Sequence, residues 1–208
     1  VKTIAIKALP HSLESFHALD SEVIVVEEGV NKDQKVTIRA RAGDDLFCEP
    51  GRIGTVNGAN LFVMPVEGDF RLQARVRVEF NEQYDSAVLV GYFNAEHWFK
   101  LCAERDTHAH TRVVSVVTRN RSDDCNGMYF QTPSIFLRIC RSSGTFCLYS
   151  SLDGENWDLV RYFDMGEISR EPMRIGLAAQ SPNGRGTVCT FDRIAFSADS
   201  VHDVRGGK

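Results

Sequence analysis

The sequence predicts an all-β fold, an antiparallel two-sheet sandwich, and three observations carry that prediction. Strand-length apolar runs recur along the 208 residues, about a dozen in all. Clusters of Gly, Asn, Asp and Ser separate the runs, as hairpin turns require. No long stretch keeps apolar residues at helical spacing, and no linker divides the chain.

Residues 1–20 mix apolar and polar positions around Pro10-His11-Ser12-Leu13-Glu14-Ser15, a stretch suited to capping a short helical turn. They are expected as a peripheral N-terminal arm. Residues 21–27 read as a strand and 29–35 as a turn. Residues 36–42 alternate apolar with polar, the pattern of a half-exposed strand. A Gly- and Asn-punctuated loop over 49–60 leads to the short apolar segment 61–65. The clearest alternation lies in 70–80: Phe70, Leu72, Ala74, Val76, Val78 and Phe80 share one face, and Arg71, Arg75, Arg77 and Glu79 the other.

Residues 85–118 hold three apolar runs joined by two polar turns. In the middle run Phe99, Leu101 and Ala103 point to one side, Trp98, Lys100, Cys102 and Glu104 to the other. Residues 119–128 are largely polar and read as a loop. Runs 135–140 and 145–151 form a hairpin across Ser143-Gly144, which sets Cys140 opposite Cys147. A turn at Asp153-Gly154-Glu155-Asn156 leads into 157–163, and strands over 174–180 and 188–196 close the fold. A single domain thus spans 21–198, and the polar residues 199–208 are expected as a flexible tail.

Composition narrows the function. With 43% hydrophobic and 25% charged residues the chain is an ordinary globular domain. A net charge of −4 leaves no basic footprint for nucleic acid or an anionic membrane. No apolar run approaches the ~18–20 residues that span a bilayer, and the first residues lack the apolar core of a secretory signal. The cysteines Cys48, Cys102, Cys125, Cys140, Cys147 and Cys189 form no C-x-x-C pair and sit mostly inside apolar runs. Zinc and thioredoxin-like sites therefore get no support, and a cytoplasmic setting is expected, with Cys140 and Cys147 as reduced neighbours. No metal or other cofactor is expected: His108 and His110 sit in a turn beside Arg105 and Arg112, an unfavourable place for a cation. Arg119 and Arg121 are expected to pair with Asp123 and Asp124 of the same loop.

The order of segments resembles a known family. The matching pieces are Ala42-Gly43-Asp44-Asp45-Leu46-Phe47, Asn60-Leu61-Phe62 leading to Gly68-Asp69-Phe70, Tyr84-Asp85-Ser86-Ala87, and His97-Trp98-Phe99-Lys100 ending in Glu104. Ser115-Val116-Val117-Thr118 follows with Ser122-Asp123, then Leu137-Arg138-Ile139, Tyr149 through Gly154, Trp157 and Arg174-Ile175-Gly176-Leu177. The set resembles the concanavalin-A-like jelly-roll domain of unknown function known as the "regulation of enolase protein" family. Asp124 departs from the pattern, standing where an aromatic is expected. The resemblance implies a jelly roll and a regulatory role touching carbohydrate metabolism, with a glycolytic enzyme as a candidate protein partner. Related jelly rolls include glycosidases built on a Glu-x-Asp-x-(x)-Glu strand, which this sequence lacks.

Parity then proposes a site. Trp98, Lys100 and Glu104 share one strand face, and Ser115, Arg138 and Tyr149 are assigned the same parity on neighbouring runs. Asp85 and Asp123 stand at strand ends beside them. The eight are expected to line a polar concave groove in which Trp98 or Tyr149 stacks on a flat ligand. The reading is of a non-catalytic module that binds a ligand or a protein. A carbohydrate-binding module is one alternative, and a glycan hydrolase or lyase a second.

Overall fold

The computed structural model describes residues 2–16, 23–28, 34–51 and 56–208. In chain order its strands are β1 (Thr3–Ile4), β2 (Leu13–Phe16), β3 (Val23–Glu28), β4 (Gln34–Arg41), β5 (Leu46–Phe47), β6 (Val56–Asn57), β7 (Leu61–Val66), β8 (Phe70–Val78) and β9 (Ser86–Asn94). There follow β10 (His97–Arg105), β11 (Thr111–Arg119), β12 (Arg121–Tyr129), β13 (Ile135–Ser142), β14 (Thr145–Ser151), β15 (Asp158–Phe163), β16 (Met173–Gln180) and β17 (Gly186–Ser197). One 3₁₀ turn, Gly166–Arg170, precedes β16. The first sheet runs β1-β2-β7-β16-β9-β10-β11-β12, the second β15-β14-β13-β8-β17-β4-β3, and β5-β6 forms a small separate pair. Every pairing is antiparallel. The predicted jelly-roll sandwich is therefore the fold.

The inner faces meet in the main core, where Phe70, Leu72, Ala74 and Val76 of β8 oppose Leu89, Phe99 and Leu101 of β9 and β10. Phe99, Phe146 and Phe163 pack ring against ring at 4.8–5.5 Å, and such aromatic contacts add to simple burial. The alternation in 70–80 is thus that of a strand with one buried face.

The central strands of both sheets are different, because both of their faces are covered. Residues 42–48 and 58–60, between β4 and β7, lie over the outer face of the first sheet. They bury Leu46, Cys48 and Ala59 against Val88, Val90, Tyr92, Trp98, Cys102, Val114 and Val116. Residues 199–208 lie over the outer face of the second sheet, where Val201 is buried with Cys140, Cys147 and Tyr149. Those residues, expected as a flexible tail, are packed. Four layers result, and β9, β11, β13 and β14 read as nearly continuous apolar runs because neither face meets water.

Two other expectations are corrected. Residues 10–15 do not cap a helical turn; Leu13–Phe16 is β2, which with β1 extends the first sheet beyond β7. Residues 121–129, read as part of a polar loop, form the edge strand β12. An edge strand pairs on one side only and needs no apolar face, so its sequence carries no alternation. Cys140 does face Cys147 across the β13–β14 hairpin, with Ser143 and Gly144 at positive φ in its turn, and both thiols are free.

Candidate functional site

The parity of the central strand is as predicted: Phe99, Leu101 and Ala103 enter the core, and Trp98, Lys100, Cys102 and Glu104 face outward. The register builds a row of outward positions across the sheet: Glu14, Val63, Gly176, Val90, Lys100, Val116 and Asp124.

The middle of that face is occupied by the chain's own loop. Its entry is clamped where the Asp44 carboxylate accepts from the Arg41 backbone N–H at 2.8 Å, and Gly43 and Asp44 exchange hydrogen bonds with Ser181. Its far side is fixed at Cys48, whose N–H donates to Ser122 Oγ while its carbonyl accepts from Ser122 N–H, both at 2.9 Å. Trp98 is consequently fully buried beneath the loop. Lys100 is 4% exposed; its Nζ donates to Gln180 Oε1 at 2.9 Å and lies 3.7 Å from Asp45 Oδ1. Gln180 in turn donates to the same Asp45 oxygen at 3.3 Å. A buried ammonium needs such partners, and these come from within the protein.

Glu104 lies at the rim of this network, half-buried. Burial pushes its carboxyl up to about 7; Asp45, Asp124 and Asp106 add to the rise and Lys100 opposes it. A carboxyl whose folded-state pKa is raised destabilises the fold once it ionises. The contribution of Glu104 to stability is therefore fully present below the ordinary carboxyl value and is lost as pH rises toward 7. Glu104→Gln is expected to remove that fall. At pH 8 the variant should be more stable than the parent by on the order of 2 kcal/mol, allowing for partial exposure, and near parity at pH 4.5. Urea unfolding at both pH values measures this, and an unchanged pH slope in the variant would refute it.

The other expected site residues are dispersed. Ser115 pairs with Leu101 and so points into the space between the sheets, fully buried. Its parity is opposite to that assigned from sequence, since Val114 and Val116 are the outward residues of β11. Arg138 and Tyr149 belong to β13 and β14 of the second sheet, on the far side of the sandwich from Lys100. Asp85 is fully buried in a turn, where it accepts from the N–H groups of Asn81 and Glu82 at 2.9 and 2.8 Å and from Ser181 Oγ at 2.6 Å. Asp123 is exposed and pairs with Arg161 at 2.9 Å, tying edge strand β12 to edge strand β15. It does not pair with Arg119 or Arg121, which donate to the carbonyls of Asp164 and Asn120. The single groove expected from parity is thus resolved into a loop-covered face, an inter-sheet position, a turn and the opposite sheet.

What stays open on the first sheet is the flank over β2, β7 and β16. A groove of about 680 Å³ lies there, with Glu14, Phe16, Val63 and Arg174 in its floor and walls and His11 and Ser12 at its rim. The Arg174 guanidinium lies over the Phe16 ring at 5.0 Å, and Tyr92 meets that ring edge-on at 5.2 Å. Stacking of this kind holds a guanidinium plane in one orientation, with its N–H donors turned sideways. Gly176 stands between Val63 and Val90, where β7 and β16 approach too closely for a side chain. The sequence reading missed these residues. The Leu13-Glu14-Ser15-Phe16 alternation is a strand signal, overshadowed there by the nearby proline.

Residues 26–199 match the family described as a protein of unknown function, DUF1349, so the chain belongs to the DUF1349 family. This is the family to which the "regulation of enolase" label is attached. Among solved structures, the chain is similar to a functionally unknown protein from Saccharomyces cerevisiae, with 22% identity over 87% of this chain and 97% of that one, at a TM-score of 0.75. It is also similar to the GH43 protein BlXynB from Bacillus licheniformis, with 13% identity over 79% of this chain and 33% of that one, at a TM-score of 0.66. A xylan beta-1,4-xylosidase from Bacillus halodurans C-125 shares 15% identity over 77% of this chain and 32% of that one, at a TM-score of 0.60. The chain spans about a third of the length of these two proteins, and what is shared at such identities is the fold. No curated protein matches the sequence. Among the described residues no helix is long and apolar enough to cross a membrane, and no group of three or more His, Cys, Asp or Glu could hold a metal ion.

Proposed function

We propose that the protein is a non-catalytic binding module whose open groove beside β2 and β16 takes a polyhydroxylated, carbohydrate-like ligand. The observation that carries this reading is the juxtaposition of the ring-stacked Arg174 guanidinium with the exposed Glu14 carboxylate in one groove. A hydroxyl both donates and accepts, and a donor plane beside an acceptor carboxylate satisfies neighbouring hydroxyls together. Pro65, exposed beside them, offers apolar surface for the ring carbons. Two of the fold relatives carry glycosidase descriptions, which is consistent with sugar recognition and adds no residue to it. Glycoside cleavage needs two facing carboxylates, and among the described residues Glu14 alone supplies one to this groove.

A thermal-shift screen against oligosaccharides, sugar phosphates and glycolytic intermediates tests the reading. A ligand present at a hundred times its Kd should stabilise the protein by about 2.7 kcal/mol, roughly 5–10 °C for a chain of this size. Arg174→Ala should abolish that shift while melting near the parent temperature in the absence of ligand; Phe16→Ala should abolish it too, with a lower melting temperature because its ring packs against Tyr92. No shift with any compound would sink the reading and leave protein contact as the surviving one.

A further inference from the structure

The outer face of the second sheet carries a segment of the protein's own chain. Residues 199–208 cross it and accept two hydrogen bonds from it through main-chain carbonyls, while the Arg205 guanidinium adds a side-chain contact 5.7 Å over the Tyr162 ring. The Val204 carbonyl accepts from the Tyr149 hydroxyl at 2.7 Å, and the Gly207 carbonyl accepts from Arg138 Nη1 at 2.8 Å. Arg138 is held ready for this. Its Nε and Nη2 donate to Gln73 Oε1 at 3.0 and 2.9 Å, and its guanidinium lies 3.5 Å over the Trp157 ring.

Two side chains three residues apart, Val201 and Val204, supply the apolar anchors among Cys140, Cys147, Tyr149 and Leu159. The crossing segment is itself shaped. Asp203 Oδ1 accepts from the N–H groups of Arg205 and Gly206 at 3.0 Å, and the Asp203 and Lys208 main chains bond each other in both directions. Gly207 sits at φ +67 with the Trp157 and Tyr149 side chains where a Cβ would fall, 2.9 and 3.3 Å away. Main-chain carbonyls read by fixed donors, with pockets for spaced side chains, are how folded domains recognise short peptides.

We infer that this face is a peptide-docking site, filled by the protein's own residues 201–207, and that a peptide of the same chemistry enters it when they are displaced. The partner it fits presents branched aliphatics at positions i and i+3, followed by a Gly-Gly turn. Covalent attachment keeps the chain's own segment at high effective concentration, so the site is closed to competitors in the intact protein.

The test uses the full chain and a fluorescein-labelled synthetic peptide of residues 198–208, followed by polarisation. In Val201→Asp/Val204→Asp the charged segment should leave the face, and the peptide should bind saturably at least tenfold more tightly than to the parent. Adding Arg138→Gln should weaken that binding a further tenfold or more, as loss of a charge-assisted bond requires. A peptide carrying the two aspartates should not bind. Gly207→Val, whose side chain would meet Trp157 and Tyr149 and so lift the segment's end off the face, provides a second opened protein with the same expectation. A folded variant that ignores the peptide, or takes the parent and aspartate peptides alike, overturns the proposal. So does failure of both opened proteins to fold, since the segment would then be an integral layer rather than an occupant.

Discussion

Asp85→Ala is expected to cost the fold about 3–4 kcal/mol and to leave ligand affinity in the surviving folded protein unchanged. The carboxylate is fully buried and accepts three hydrogen bonds, from two backbone N–H groups and the Ser181 hydroxyl. Bonds to a charged group contribute about 1.5–3 kcal/mol each, less than additively when they share one acceptor. The loss is compounded by the turn they hold. Tyr84 sits at φ +68, a conformation that costs a non-glycine residue of order 1 kcal/mol, and is pinned by its N–H to the Arg105 carbonyl at 2.7 Å. Removing Asp85 also strands the Asn81 and Glu82 N–H groups. Asp85→Asn keeps the shape and one acceptor oxygen and should lose about half as much. Urea unfolding of the two variants gives the free energies. A variant that folds as stably as the parent but loses ligand would show that Asp85 contacts the ligand, as its sequence position suggested.

The fold was largely legible in the sequence because its signals are local. Alternation in 70–80, the Ser143-Gly144 turn and the opposed Cys140 and Cys147 follow from strand period and turn chemistry, and all stand in the structure. The site was far less legible because it depends on which strands share a sheet. Parity places Lys100 and Arg138 outward on their own strands, but outward from the first sheet and from the second are opposite directions. Ser115 failed for a smaller reason: in Val113-Val114-Ser115-Val116-Val117 apolar residues fill both parities, so the lone polar residue does not reveal its side.

A clue to the covering layers was nevertheless present. Strands with one face in water alternate, as β8 does, whereas Val88-Leu89-Val90 and Val113-Val114 carry apolar residues on both faces. Such runs demand cover on both sides. In the first sheet that cover comes from Leu46, Cys48 and Ala59, and their segment had read only as a loop. The same logic joins the two proposed sites. Each sheet lends one outer face to a segment of its own chain, and the first sheet has a flank left over, where the groove lies.

Gly176→Ala is expected to be the most damaging small substitution in the first sheet, at about 4 kcal/mol. Gly176 stands on β16 between Val63 of β7 and Val90 of β9. A Cβ there would fall 1.9 Å from the Phe62 carbonyl oxygen and 2.8 Å from the Val63 Cα. Both obstacles are backbone, so no rotamer change relieves them; β7 and β16 must part. Overpacking in a core typically costs 1–3 kcal/mol, and here paired strands must also lose ladder hydrogen bonds. For a chain of this length that corresponds to a fall of roughly 8–16 °C in Tm. The damage should also reach the groove. β1 and β2 join the sheet only through β7, so displacing β7 carries Glu14 and Phe16 away from Arg174. Ala178, two residues along the same outward face, already holds its methyl in the loop-covered core. Ala178→Gly should therefore cost only about 1 kcal/mol and spare the groove. Calorimetric melting of the two variants, with ligand titration of whatever remains folded, separates these outcomes. A Gly176→Ala protein within 1 kcal/mol of the parent would show that β7 moves off β16 cheaply. The groove floor would then be a yielding surface, and Arg174 and Glu14 would lack the fixed spacing that the binding proposal requires.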